Sequence, residues 1–233
     1  IAQVAKAVTD KDKTDIYNQL SSEIKVTNVD SAINLADKAH ELATKNNYPY
    51  GEGTAYLCIA LANIVKGKYE FAYENAIKAT TIAEKIGSDS LLAYSFTVVG
   101  AYYYNKGSYD LSIEKCLQAV KIFEKINNPV GILKAKNIMA QVYQLKNDIP
   151  RAEKILKENL ALFPKADDPK IKVSILHTLA NIYGMQGKFA EALELDKQGL
   201  ILCAAENLEF LKSQLFDNMA NWYMYSNRFD EAK

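Results

Sequence analysis

Few side chains in this chain could do acid–base or metal chemistry. His40 and His177 are the two histidines, and neither has Cys, Asp or Glu at a metal-ligand spacing. Cys58, Cys116 and Cys203 lie far apart within helical apolar patterns. Their odd number and wide spacing form neither a disulfide framework nor a zinc site, and they read as small buried hydrophobes. No Gly-rich phosphate loop, nucleophile elbow or His-Glu-x-x-His run is present, and Gly51-Glu52-Gly53 lacks the third glycine of a dinucleotide fingerprint. An enzyme built on His177 and Asp217 would need an orienting third group that the pattern does not supply. The side-chain amides offer different chemistry. Asn137/Gln141, His177/Asn181 and Asp217/Asn221 are each four residues apart, which places each pair on one face of a helix. An amide presents a donor and an acceptor together, the same two groups that the backbone of an extended peptide leaves free.

Charge narrows the choice. Lys+Arg 28 balance Asp+Glu 28, and Arg151 and Arg228 are the arginines. Zero net charge opposes a nucleic-acid surface or a polybasic membrane anchor, so the fifteen tyrosines read as packing rather than as base-stacking platforms. No apolar run reaches the length of a membrane span. Nothing in the pattern calls for a cofactor or a metal. The chain opens at Ile1 and stops at Lys233 within a helical pattern, which reads as a fragment of a longer protein.

The elements that must carry the amides are helices. Pro129, Pro150 and Pro169 closely follow Asn128, Asp148 and Asp168, which marks three helix starts, because the first turn has N–H groups without intrahelical partners. Gly67, Gly107 and Gly187 close apolar periodic segments, where a left-handed cap suits glycine. Helices of about 14 to 18 residues joined by short turns are expected. They repeat: the turns beginning at Gly67, Gly107, Asn147, Gly187 and Asn227 are each 40 residues apart, and Thr27 falls in the same register. Leu20, Ala60, Gly100, Ala140, Ala180 and Ala220 form a small-residue column, followed three residues on by Tyr103, Tyr143, Tyr183 and Tyr223 in the later copies. Ala39, Ala79, Ala119, Asn159 and Gly199 form a second small column. Small residues where two helices cross let the backbones approach closely.

These columns resemble the tetratricopeptide repeat, a helix hairpin with a small residue and Tyr on helix A and a Gly-x-Tyr/Phe-x-x-Ala turn before helix B. The family's usual period is 34 residues; here it is 40, and Lys136 interrupts the column where the family carries Trp. The resemblance implies an all-α fold, a right-handed α-solenoid of antiparallel hairpins. Residues 1–12 are then a lead-in, and 13–233 an array with repeats at about 13–52, 53–92, 93–132, 133–172 and 173–212 and a truncated copy at 213–233. Gln19 and Glu23 suit an end repeat facing solvent. The resemblance also puts helix A on the inner wall.

On that wall the candidate binding residues are Tyr94, Tyr104, Lys134, Asn137, Gln141, Gln144, His177, Asn181, Gln214, Asp217 and Asn221. Its first half is expected to be apolar and aromatic, its second half rich in amides. The columns that hold a C-terminal carboxylate in chaperone-binding relatives carry no pair of cations here, which excludes that clamp. The partner is expected to be a protein or peptide, with no nucleic acid and no direct membrane contact, and a homodimer is compatible with such an array. The stretches Lys13–Leu20 and Asp30–Ala36, with Ala79–Ile86 and Ala119–Ile126, are similar to sensor arrays of Bacteroidetes histidine kinases and related regulators. That implies a non-catalytic sensory region in the bacterial cytoplasm or periplasm, any kinase activity lying outside these residues. A constitutive scaffold without a dedicated ligand is the alternative.

Overall fold

The structure, a computed structural model, describes residues 9–226 apart from residue 167. The first eight residues of the lead-in and the turn of the truncated last copy lie outside the described residues. Eleven α-helices and no strand occur among the described residues. They are α1 (Asp10–Ile24), α2 (Val29–Lys45), α3 (Pro49–Val65), α4 (Tyr69–Ile86), α5 (Asp89–Asn105), α6 (Tyr109–Lys125), α7 (Pro129–Leu145), α8 (Ile149–Leu162), α9 (Pro169–Met185), α10 (Phe189–Ala205) and α11 (Glu209–Tyr225). A 3-10 turn, Phe163–Lys165, follows α8. Residues 10–12, assigned above to the lead-in, already belong to α1, because Thr9 and Asp12 close a capping box at its start.

The 40-residue period divides into two equal halves. Among the described residues positive φ occurs at residues 47, 67, 87, 107, 127 and 147, one every 20 residues, and again at 187 and 207, always Gly or Asn. Each of these residues ends one helix in the left-handed conformation. The next residue then turns its N–H back to a carbonyl five residues earlier, as Lys68 does to Asn63 at 2.8 Å and Lys188 to Tyr183 at 2.9 Å. That residue is also the N-cap of the following helix, so three residues complete most of these turns and two, Gly87 and Ser88, the turn after α4. Asn128, Asp148 and Asp168 cap α7, α8 and α9 with their side chains, as their pairing with proline predicts. Most of the helices are 17 residues long, so the period exceeds 34 because the helices are long and not because the connections are.

The chain forms two compact units, dividing between Asn127 and Asn128. In the first, α1–α6 form three antiparallel hairpins, each helix packed on the next, with α3 also touching α1 and α5. In the second, α7–α10 form two hairpins, α11 packs on α10, and α9 also touches α7 and α11. A stripe on each B helix faces the hairpin interior. It reads Ala32, Ala36, Ala39, Ala43 on α2 and Ala72, Ala76, Ala79, Ala83 on α4, all fully buried or nearly so. On α6 it reads Ser112, Cys116, Ala119, Phe123, and on α10 Ala192, Asp196, Gly199, Cys203. Small side chains let the helices close up: a Cβ added at Gly100 would stand 2.6 Å from Cys116 Sγ. The Ser112 hydroxyl uses that proximity to donate to the Gly100 carbonyl at 2.8 Å. All three cysteines are buried and free, as expected of small core residues. Gln19 and Glu23 are exposed on α1 and bonded to each other, which suits an end hairpin. Lys136 meets Glu158 of α8 at 3.4 Å in place of the aromatic contact.

Candidate functional site

In the second unit side chains cross-link neighbouring A helices, with Asn137, Gln144, His177 and Asn181 of the predicted residues each bonded to a residue outside the predicted set. Asn137 of α7 donates its Nδ2 to Ser174 Oγ of α9 at 3.0 Å, and Gln144 Nε2 reaches Met185 Sδ at 3.3 Å. Between α9 and α11 the link is Asn218. Its Nδ2 donates to His177 Nδ1 at 3.1 Å and to Asn181 Oδ1 at 2.9 Å. An amide nitrogen only donates, so His177 accepts at Nδ1 and carries its proton on Nε2. Burial also lowers the His177 pKa, which keeps the ring neutral at pH 7.

This bonding uses both Asn218 N–H groups and leaves its Oδ1 as an acceptor. It engages Asn181 Oδ1 and leaves Asn181 Nδ2 as a donor. The result is a fixed donor and acceptor on adjacent helices. They border a cavity of about 470 Å³ lined by Asn181, Gly184, Met185, Phe189, Asn218, Asn221, Trp222 and Tyr225. Phe189, Trp222 and Tyr225 form its aromatic side, with ring centroids 6.1–6.4 Å apart. The lining carries no charged side chain. A second cavity, of about 380 Å³ at the α3–α4 turn, is bounded by Glu70 and Lys106, which pair at 2.8 Å, and holds none of the predicted residues.

Trp222 fits because Gly184 lacks a Cβ, which would fall 2.4 Å from the indole Cη2 and Cζ3. The indole Nε1 points away from these atoms and donates to Asp196 Oδ2 of α10 at 2.9 Å. Asp196 is fully buried, and its Oδ1 has no hydrogen-bond partner. The equivalent positions of the other hairpins hold Ala36, Ala76, Cys116 and Leu156, each also fully buried. Burial pushes the Asp196 carboxyl up to about 7, against the smaller opposing effect of the indole hydrogen bond.

The remaining predicted residues are distributed otherwise. Tyr94 is half-buried, its ring edge-on to the fully buried Phe123 of α6 at 4.9 Å. The apolar and aromatic inner face expected there is largely core. Leu57 and Thr97 are buried, and Leu61 and Ile64 pack against the same cluster. Tyr104 is half-buried near Tyr69 and Tyr109, and burial raises its pKa. Lys134 opens to solvent, yet desolvation by surrounding atoms lowers its pKa more than Asp168 restores it. Gln141 is half-buried; Gln214 and Asp217 are exposed and line no part of the cavity. Asn218, one residue beyond Asp217, meets His177 and Asn181 instead, because residues on successive A helices meet at separations of 37 and 41 rather than 40. That offset also hides Met185, Phe189 and Tyr225 from a reading by columns. Asp196 was legible as the one acid in an otherwise apolar column. His40 is a packing residue, with Nε2 2.9 Å from the Tyr56 hydroxyl. No group of three His, Cys, Asp or Glu that could hold a metal occurs among the described residues.

Residues 173–206 match the model of the tetratricopeptide repeat family. The six residues by which the 40-residue hairpin exceeds that match are the first turn of α9, 169–172, and the link at 207–208. No curated protein matches the sequence. Among solved structures the chain is similar to aspartyl phosphate phosphatase F from Bacillus subtilis, with 16% identity, a TM-score of 0.71, and coverage of 97% of this chain and 58% of that one. It is similar to a Rap protein complexed with competence and sporulation factor, at 14% identity and a TM-score of 0.65, over 97% of this chain and 67% of the other. It is also similar to the apo form of the quorum sensor NprR from B. thuringiensis, at 14% identity and a TM-score of 0.65, over 99% of this chain and 65% of the other. The chain thus spans 58% to 67% of the length of these proteins, and the likeness is one of fold.

Proposed function

We propose that the cavity between α9 and α11 receives an extended segment of a partner protein or peptide. Asn218 Oδ1 accepts from a backbone N–H of the segment, Asn181 Nδ2 donates to a backbone carbonyl, and Asn221 adds a further amide. One apolar or aromatic side chain of the segment packs against Phe189, Trp222 and Tyr225. The observation that carries this reading is the Asn218–Asn181 bond, which holds a donor and an acceptor in place beside an uncharged aromatic wall. Buried aromatic contact supplies affinity, and preorganised amides limit the entropy lost on binding. Neutral lining disfavours a bound segment with a charged side chain at this point, because its desolvation would go unmatched.

The fold shared with a quorum sensor and with a Rap protein bound to a factor supports placing such a module in signalling. The corresponding reading is a sensory or regulatory region of a bacterial signalling protein that binds without catalysing, any output activity lying outside these residues. An array of end-blocked neutral peptides, probed with the wild type, Asn218→Ala and Asn181→Ala/Asn221→Ala, tests it. Loss of two backbone hydrogen bonds should weaken binding by about tenfold or more. Equal binding by all three proteins removes the amide site, and an array without any binder leaves a scaffold as the better reading.

A further inference from the structure

A buried acid in an apolar column needs a reason. The hairpin interior accepts Ala, Cys or Leu at this position, and each stays fully buried without a polar atom to satisfy. Asp196 leaves Oδ1 orphaned, and its one hydrogen-bond donor among the described residues is the Trp222 indole. The same indole forms the wall of the cavity, with its benzo edge set over Gly184. Trp222 therefore has one edge in a buried polar bond and another against the place where a ligand would sit. The benzo edge already fills the space over Gly184. Releasing Nε1 therefore leaves the ring free to move only away from α9, which alters the wall.

We propose that Asp196 is the positioning residue of this cavity: the charge state of its carboxyl, passed through Nε1 of Trp222, sets the wall against which a peptide side chain packs. This regulation rests on the peptide-binding reading of the same site. When ionised, the carboxylate accepts a charge-assisted bond, roughly twice as strong as a neutral one, and pins the indole. When protonated, the carboxyl is a weaker acceptor and carries its own proton in competition, and the ring loosens. Burial places this change close to neutral pH. The titratable groups packed around the Trp222 cluster are Tyr183 from α9 and Tyr223 and Tyr225 from α11. Besides burial, the indole bond is what acts on the Asp196 carboxyl, with no lysine, arginine or second acid contributing among the described residues. His177, also on α9, is lowered below its usual value by burial.

Trp222 is the single tryptophan of the chain, so its emission reads the wall directly. The test follows this emission and its quenching by acrylamide, a neutral probe, from about pH 5 to about pH 9. The wild type should show one transition with a midpoint near 7, the indole becoming more accessible to acrylamide as pH falls. Asp196→Asn keeps an acceptor and should abolish the transition. Asp196→Leu, which places at 196 the residue type fully buried at the equivalent position 156, should also be flat. A flat wild type, or the same transition in Asp196→Leu, overturns the proposal. In a second arm, the neutral end-blocked peptide selected on the array is titrated on either side of the midpoint. If binding moves the midpoint by one unit, affinity changes by about tenfold between the limits and is higher at high pH. Equal affinity at both pH values overturns the link to binding. A transition in Trp222 together with an array that binds nothing keeps Asp196 as the residue that positions the wall and removes the peptide.

Discussion

Replacing Asp196 by Asn should lower the stability of the second unit at acid pH and raise it at alkaline pH. The reasoning is thermodynamic linkage. An unfolded carboxyl of this type titrates near 3.8, and in the folded unit burial raises it to about 7. Between these values the folded state holds a proton that the unfolded state has released. Stability from this group is therefore fully present below about pH 4, declines as pH rises, and is flat above about pH 7. A span of about three units at 1.36 kcal/mol each gives roughly 4 kcal/mol lost across the window. Asn does not titrate, so the difference between variant and wild type should grow by that amount from about pH 4 to about pH 8. A fixed offset is superimposed: the Asn Nδ2, placed where Oδ1 is orphaned, is a buried donor without a partner and costs about 1–3 kcal/mol at every pH. The slope isolates the carboxyl whatever the offset. Guanidinium unfolding followed by Trp222 emission reads the unit that contains the site. Acids held low by lysines, such as Glu153 beside Lys157, act in the opposite direction and cancel in the difference. A difference that stays constant within about 1 kcal/mol over the range refutes the argument.

Gly184→Ala forces a methyl group into the indole and should lower stability by about 1–3 kcal/mol, with a shift in Trp222 emission; thermal melts with an unchanged Tm and an unchanged spectrum would show that the ring is not held there. Burial pushes the Cys116 thiol up to about 12 and Cys58 to about 11, so neither should react with iodoacetamide at about pH 8 until the chain unfolds; labelling of the native protein would disprove that these residues are closed off.

What the sequence alone determined is the repeat and its helices. The period of 40, the proline and Asx starts and the glycine ends are local signals, because a left-handed cap or a missing N–H acts within a few residues of itself. Small columns at Ala60, Gly100, Ala140 and Ala180 likewise reported helix crossings, since close approach depends on side-chain size at one position. The amide character of the later A helices was legible for the same reason. Which amides meet was not. Side chains on neighbouring A helices interlock at offsets of 37 and 41 residues, a consequence of how their ridges pack, and this selects Asn218 over Asp217. Tyr94 is a like case: its column suggested a groove position, and only packing set its ring against Phe123 of α6. Asp196 combines both levels. Its apolar equivalents one period away are a signal the column reading passed over, and tertiary packing alone put Trp222 at its carboxyl beside the cavity.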